Sequence, residues 1–140
     1  MGDHDVCCKR VMRDAFGPAS IDSGPSVQVR YGAGGCARVD GTIRPNIAVE
    51  IESRVSKQVR GPVLDLIFHP YPKKLLVLLP VHMSSPSDCA GQCRFVLARF
   101  IDPADFRVVV LSGSGNRPSP EADVSLVRKV AAELGFRDAA

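Results

Sequence analysis

The sequence lacks tryptophan and contains only two tyrosines and six phenylalanines among its 140 residues. Proteins that bind single-stranded nucleic acid by stacking its bases use aromatic side chains along a groove. This composition gives little support to such a platform. Long apolar runs are also missing, because the longest one, Leu75–Val81, is far shorter than the roughly 20 residues that span a bilayer as a helix. We therefore expect no membrane partner.

The five cysteines are odd in number and follow no framework spacing, which indicates reduced thiols rather than structural disulfides. The first ten residues, MGDHDVCCKR, are charged and contain no apolar signal region, so the sequence predicts no export signal. Both features favour a cytoplasmic protein. Cys89 and Cys93 are four residues apart, but two thiolates make only half of a zinc site. Buried or idle thiols are the favoured interpretation.

Charge and size set wide limits on function. The net charge of +3 and the isoelectric point near 8.7 permit a polyanionic partner without requiring one. A hydrophobic content of 45% and a charged content of 24% are ordinary for a globular chain. We expect residues 1–140 to form a single domain.

Hydrophobic periodicity predicts nine elements in the order α-β-β-β-α-β-α-β-α. Three alternating segments joined by two short turns are typical of an antiparallel meander. The later strands are near-continuous apolar runs separated by helices, as expected of strands buried on both faces. The sequence thus predicts an α/β fold with a mixed central sheet flanked by helices. The predicted helices cover 4–16, 53–69 (with a kink at Pro62), 87–101 and 119–134, and the predicted strands cover 26–31, 36–43, 47–53, 74–81 and 106–113.

Two of the four glutamates in the chain stand one residue apart in a predicted strand. In the segment IAVEIES, Ile47–Ser53, the apolar odd positions indicate a half-buried strand, and Glu50 and Glu52 share its other face. Glutamate is depleted in strands. Such a pair therefore calls for a physical reason.

The turn Arg-Pro-Asn before this strand predicts which residues lie opposite one another. If the turn is centred on Pro45, opposed residues have numbers that add up to 90, so Asp40 faces Glu50 and Arg38 faces Glu52. A slip by one residue would pair charged positions with apolar ones. Since opposed β-carbons are about 5 Å apart, the register predicts an acidic cluster of Asp40, Glu50 and Glu52.

Like charges that face each other destabilise a sheet unless cations, protonation or water offset them. Carboxylate oxygens at this spacing suit Mg²⁺ or Mn²⁺, which keep several waters when bound. Asp40, Glu50 and Glu52 are therefore candidate metal ligands. The alternative is a hydrated face on which Arg38 pairs with Glu52 and Arg30 lies nearby.

A basic stripe follows the acidic strand. Arg54, Lys57 and Arg60 repeat every three residues on one flank of the predicted helix, with Gln58 beside them. Most such stripes are ordinary solvated helix faces. This stripe begins two residues after Glu52, however, so a cation there could orient a water or stabilise charge on a phosphate.

The segment VDGTIRPNIAVEIESRVSKQV, residues 39–59, resembles the core of the PD-(D/E)XK nuclease superfamily. In that family an acidic residue ends the second strand, and the third strand carries an acidic residue, one spacer and usually a lysine. The common αβββαβ core also matches the predicted order of residues 1–81. The resemblance implies a restriction endonuclease-like fold, with Asp40 and Glu50 as metal ligands and with Lys57 or Gln58 at polar positions of the next helix.

The sequence departs from the family at one position of this motif. Glu52 stands where the lysine usually stands, a known type of variant that leaves the cation to come from elsewhere. Lys57 is the preferred candidate, and Arg38 or Arg54 is the alternative. The acid that many members carry on the first helix has no clear match, Asp14 being the one candidate.

These observations predict a small metal-dependent nuclease that hydrolyses phosphodiester bonds of nucleic acid with Mg²⁺ or Mn²⁺. A catalytically inactive nuclease-like module that binds nucleic acid or protein is the alternative, and a defence or toxin component that needs a partner is a third. A chain of this size leaves little room for a base-recognition domain, so sequence specificity would need a homodimer or a partner subunit. The predicted residues are Asp40, Glu50, Glu52 and Lys57 for catalysis, the three acids for metal, and Arg54, Gln58 and Arg60 for nucleic acid.

Overall fold

The computed structural model of the protein describes residues 3–17, 28–30, 36–53, 56–112 and 120–137, and for a few of these only the backbone. They form four helices and six strands, with short 3₁₀ helices at Ser56–Val59, Pro80–His82 and Pro103–Asp105. The α-helices are α1 (Asp3–Phe16), α2 (Arg60–Phe68), α3 (Pro86–Leu97) and α4 (Glu121–Glu133). The strands are β1 (Gln28–Arg30), β2 (Cys36–Arg38), β3 (Gly41–Ile43), β4 (Ile47–Glu52), β5 (Lys73–Leu78) and β6 (Phe106–Val110).

A four-stranded mixed sheet organises the fold. Its strand order is β3-β4-β5-β6, with β3 antiparallel to β4 and the remaining neighbours parallel. The predicted α/β class and mixed sheet are therefore confirmed. The predicted strand 36–43 is wrong in one respect, because a bend at Asp40 divides it into β2 and β3. β2 pairs with β1 in a separate antiparallel ribbon.

Both faces of the sheet are covered by helices. On one face, α1 and α4 pack over the odd-numbered side chains of β4, such as Val49, and over Leu75 and Val77 of β5. On the other face, α2 and α3 pack over Ala48, Leu76 and the aliphatic residues around them. All six residues of β4 are buried, so the expectation of a half-buried strand is wrong. The alternating pattern predicted that the even-numbered side chains of β4 face solvent, but α2 and α3 cover that face of the sheet.

The helix ends follow local chemistry. Gly17 and Gly135 both have positive φ angles, 96° and 99°, and each follows a helix in the position that favours glycine. Pro62 is the third residue of α2, where the backbone N–H would have no α-helical acceptor. No α-helical hydrogen bond is therefore lost there, and the kink predicted at Pro62 has no cause. Pro120 immediately precedes α4, whereas Ser119, where the predicted helix 119–134 starts, lies outside the described residues.

Two further expectations concern the thiols and the membrane. Cys89 and Cys93 are free and buried on α3, and burial raises the pKa of Cys93 to about 12, helped by its neighbour Cys89. Their interpretation as buried thiols is confirmed. Among the described helices, none is long and apolar enough to cross a membrane.

Candidate functional site

The register between β3 and β4 places Asp40 next to Glu50. Their observed pairs are Gly41 with Val49, Thr42 with Ala48, and Ile43 with Ile47. Each pair of numbers adds up to 90, so the predicted register is confirmed. Asp40 comes directly before the first of these pairs and therefore lies at the end of the ladder.

Two carboxylate side chains take the place of the ladder's backbone hydrogen bonds immediately before the start of β3. The backbone N–H of Asp40 donates to Oε1 of Glu50 at 2.6 Å. In return, Oδ2 of Asp40 accepts from the backbone N–H of Ile51 at 2.7 Å. The bend at Asp40 takes its peptide group out of the sheet, and the side chains supply the missing partners. This exchange fixes both carboxyl groups at the junction of the ribbon and the four-stranded sheet.

The environment of Glu50 strongly perturbs its carboxyl group. Its residue is only 5% exposed, and burial, followed by the negative charges of Asp40 and Asp65, raises its pKa to about 9. The hydrogen bond from the Asp40 backbone acts in the opposite direction, and the charge of Glu52 adds to the rise. Near neutral pH the Glu50 carboxyl is therefore protonated unless a cation offsets the surrounding charges.

Glu52 lies further along β4 and is even less accessible. It is 1% exposed and pairs in parallel register with Leu78 of β5. Its carbonyl oxygen accepts a hydrogen bond from the backbone N–H of Leu79 at 3.0 Å. The predicted opposition of Arg38 and Glu52 does not continue the ladder, because the bend at Asp40 ends the pairing and Arg38 belongs to β2.

Asp65 is the member of the acidic group that the sequence patterns did not reveal. It is partly buried on α2, and its charge contributes to the raised pKa of Glu50. Its signal in the sequence is that it is the single acid within the helix RGPVLDLIF. The periodicity that predicts this helix depends only on its apolar residues. The pattern therefore does not distinguish Asp65 from an ordinary solvent-exposed polar residue.

The basic stripe is described only in part. Arg54 lies outside the described residues. Lys57 and Gln58 belong to the 3₁₀ helix Ser56–Val59 and not to α2, and the side chain of Lys57 is also outside the description. Gln58 is partly buried, whereas Arg60 is exposed at the first residue of α2. The roles assigned to these residues remain predictions.

A second buried polar group lies at the start of β5. Lys74 is 2% exposed and its Nζ donates to the carbonyl oxygen of His69 at 2.5 Å. Burial lowers the pKa of Lys74 to about 8. Nδ1 of His69 accepts from the backbone N–H of Tyr71 at 3.0 Å. These bonds hold the segment HPYPKK, residues 69–74, as a turn that leads into the buried strand β5.

The acidic junction contains two neighbouring carboxyl groups, each bound to a backbone N–H, rather than a complete protein cage for a metal. Within the described ranges, no three His, Cys, Asp or Glu side chains are grouped so that they could hold a metal ion together. No model of a known protein family matches the chain, and no curated protein or solved structure matches it. The acidic junction of Asp40 and Glu50 is thus the site with the most distinctive chemistry in the described residues.

Proposed function

We propose that the protein is a metal-dependent nuclease that hydrolyses phosphodiester bonds at the acidic junction. The observation that carries this proposal is the placement of Asp40 and Glu50 in contact immediately before the start of β3. A buried carboxyl group of raised pKa beside other acids is typical of a functional site. A divalent cation is the partner that would relieve this repulsion.

The donor set fits Mg²⁺ or Mn²⁺. Mg²⁺ is bound in proteins through one or two carboxylates together with waters and substrate phosphates, so Asp40 and Glu50 suffice as direct ligands. Bound there, the cation would activate water and polarise a phosphoryl oxygen. Glu50 must lose its proton to act as a ligand, and Glu52 holds a further negative charge close by. Metal affinity should therefore rise with pH.

The topology supports the restriction endonuclease-like part of the proposal. A helix, an antiparallel arrangement through β3 and β4, the helix α2 and the parallel strand β5 follow one another as in the αβββαβ core. The acids stand at the end of the second strand, which is split by the bend, and within the third strand. Lys57 is proposed to supply the missing cation, while Arg54, Gln58 and Arg60 would hold the nucleic-acid backbone.

The test is cleavage of single-stranded and duplex DNA and RNA in the presence of Mg²⁺ or Mn²⁺. Asp40→Asn keeps an oxygen for the Ile51 N–H, and Glu50→Gln keeps one for the Asp40 N–H, so both variants should fold. We expect each to reduce the cleavage rate at least about a hundredfold, since a metal contributes several kcal/mol to such reactions. Glu121→Gln, an exposed acid on α4, is the matched control and should cleave normally. Equal cleavage by all four proteins would refute the site.

A non-catalytic nuclease-like module is the second candidate. It is favoured by Glu52, which occupies the lysine position of the motif and is buried. Calorimetric titration with Mn²⁺ separates the two functions. Binding that Glu50→Gln abolishes, without cleavage of any nucleic acid, would support the module. Binding together with cleavage would support the nuclease.

A further inference from the structure

The two helix layers of the fold differ in the burial of their aromatic side chains. On the α1 and α4 face, Phe16 and Phe136 are partly buried and stack edge to face with ring centroids 5.2 Å apart. On the other side, Phe68, Phe95 and Phe100 are 53%, 67% and 66% exposed. They lie on α2, on α3 and in the turn after α3. The aromatic side chains of the α1 and α4 face are therefore packed against one another. Those of α2, α3 and the following turn are exposed, and none of the described residues covers them.

The apolar patch is continuous across α2 and α3. One cavity of about 560 Å³ beside α3 is lined by Gly91, Gln92, Phe95 and Val96 among others. A second of about 560 Å³ between the helices is lined by Leu64, and Gln92 and Val96 line it as well. The two shared residues join the cavities into one groove, which Phe95 borders.

The exposed side of α3 has the spacing through which helices pair. Its central line runs through Asp88, Gln92 and Phe95, and Arg99 follows four residues later in the turn after α3, so the intervals are four, three and four residues and all four side chains are exposed. The guanidinium of Arg99 lies 5.9 Å from the centre of the Phe95 ring, which places both on one side. Intervals of four and three are those of helices that pack along one seam.

The intervals of four, three and four residues read the same from either end of this line. The residues at its two ends, Asp88 and Arg99, have opposite charges. We infer that two copies of the chain associate through α3, with the two helices antiparallel about a two-fold axis between Gln92 and Phe95. A two-fold interface brings the same patch of both subunits together. Asp88 of each copy then faces Arg99 of the other, and Phe95 of each faces Gln92 of the other. Each Phe95 ring would thus enter the groove of the second copy.

The size of the patch fits a dimer. With roughly 200 Å² for each phenylalanine side chain, the exposed rings of Phe95 in the groove, Phe68 on α2 and Phe100 in the turn after α3 together amount to about 350–400 Å². Leu64 and Val96, which also line the groove, add to this area. One side of a standard interface buries about 800 Å², of which slightly more than half, about 450 Å², is non-polar. Gly91 contributes by leaving open space on the helix surface, since a β-carbon built there meets no atom within 4 Å.

Sedimentation over protein concentrations from the low micromolar to the submillimolar range tests this dimer. The wild type should associate reversibly to a dimer. Phe95→Glu should raise the dissociation constant at least about a hundredfold, because a central aromatic is lost twice in a symmetric interface. Val81→Glu is the matched control, since Val81 is 38% exposed and lies outside the patch. It should leave the dissociation constant unchanged.

Charge reversal tests the antiparallel register. Asp88→Arg and Arg99→Asp should each raise the dissociation constant about tenfold, because every dimer contains two such pairs and both become repulsive. The double variant restores opposite charges and should return to within about threefold of the wild type. All these side chains are exposed, so circular dichroism should show native folding throughout. A wild type that stays monomeric, or a double variant that associates no better than the single ones, overturns the inference.

Discussion

The carboxyl group of Glu50 is enclosed by the sheet and by α2, and only 5% of the surface of this residue is exposed. Its surroundings raise its pKa to about 9, whereas in the unfolded chain it returns to its ordinary value of 4.5. Below about pH 4.5 both states hold the proton, and above about pH 9 both have lost it. Between these values only the unfolded state ionises. The free energy of unfolding should therefore fall as the pH rises across this window.

Glu50→Gln isolates this effect, because glutamine is similar in shape and does not titrate. Relative to the variant, the wild type should lose on the order of 1 kcal/mol of unfolding free energy per pH unit between about pH 5 and pH 9. Urea denaturation at several pH values, without divalent cations, measures the difference. Glu121→Gln on the exposed start of α4 should follow the wild type. A constant difference between wild type and Glu50→Gln would contradict the raised pKa.

The sequence predicted part of this residue-scale picture. Alternation and the turn at Pro45 were enough to place Asp40 opposite Glu50, because the period of a strand is two and a slip by one residue would pair charged positions with apolar ones. The exchange of hydrogen bonds with the backbone of Ile51 could not be predicted, since it depends on side-chain conformation after the strand breaks. Asp65 lies on α2, a different element from Glu50. A pattern within α2 alone could not predict that the two residues are close in space.

At the scale of elements, the same substitution should have opposite effects at two glycines. Gly61 lies in α2, where an added β-carbon would meet only open space, whereas Gly135 ends α4 with a φ of 99°. Gly61→Ala should raise the free energy of unfolding by about 0.5–1 kcal/mol, because alanine loses less backbone freedom on folding. Gly135→Ala should lower it by about 1 kcal/mol, because an L side chain is strained at positive φ. Thermal unfolding of the two variants against the wild type measures both signs, and equal signs would contradict this account.

Element boundaries were predicted well where the sequence contains a stop signal and less well elsewhere. Gly17 and Gly135 mark the ends of α1 and α4 in the sequence as in the structure. The predicted helix 53–69 instead contains a 3₁₀ turn and then α2 from Arg60. Both helix types place apolar residues every three to four positions, so the spacing could not separate them.

At the scale of the whole molecule, two apolar cores share one sheet. Leu75 and Leu76 are adjacent on β5, both fully buried, and face opposite helix layers. Leu75→Ala and Leu76→Ala should each lower the free energy of unfolding by about 2–5 kcal/mol. Since the sheet links the layers, each variant should still unfold in one cooperative transition.

The control for this pair is Leu64→Ala, because Leu64 is 49% exposed on α2. Its effect on the monomer should be below about 1 kcal/mol. Fluorescence and circular dichroism recorded along the same denaturation curve should coincide for all variants. Separate transitions would show that the two helix layers unfold independently.

The pairing of α1 with α4 has a consequence for synthesis. Arg128 on α4 donates hydrogen bonds to the carbonyl oxygens of Ala15 and Asp14 at the end of α1, so α1 and α4 close one face of the sheet together. A ribosome makes all six of the described strands before it makes α4. The aliphatic surface that α4 covers therefore stays exposed in the nascent chain until translation passes residue 133, and a chaperone could bind it during this interval.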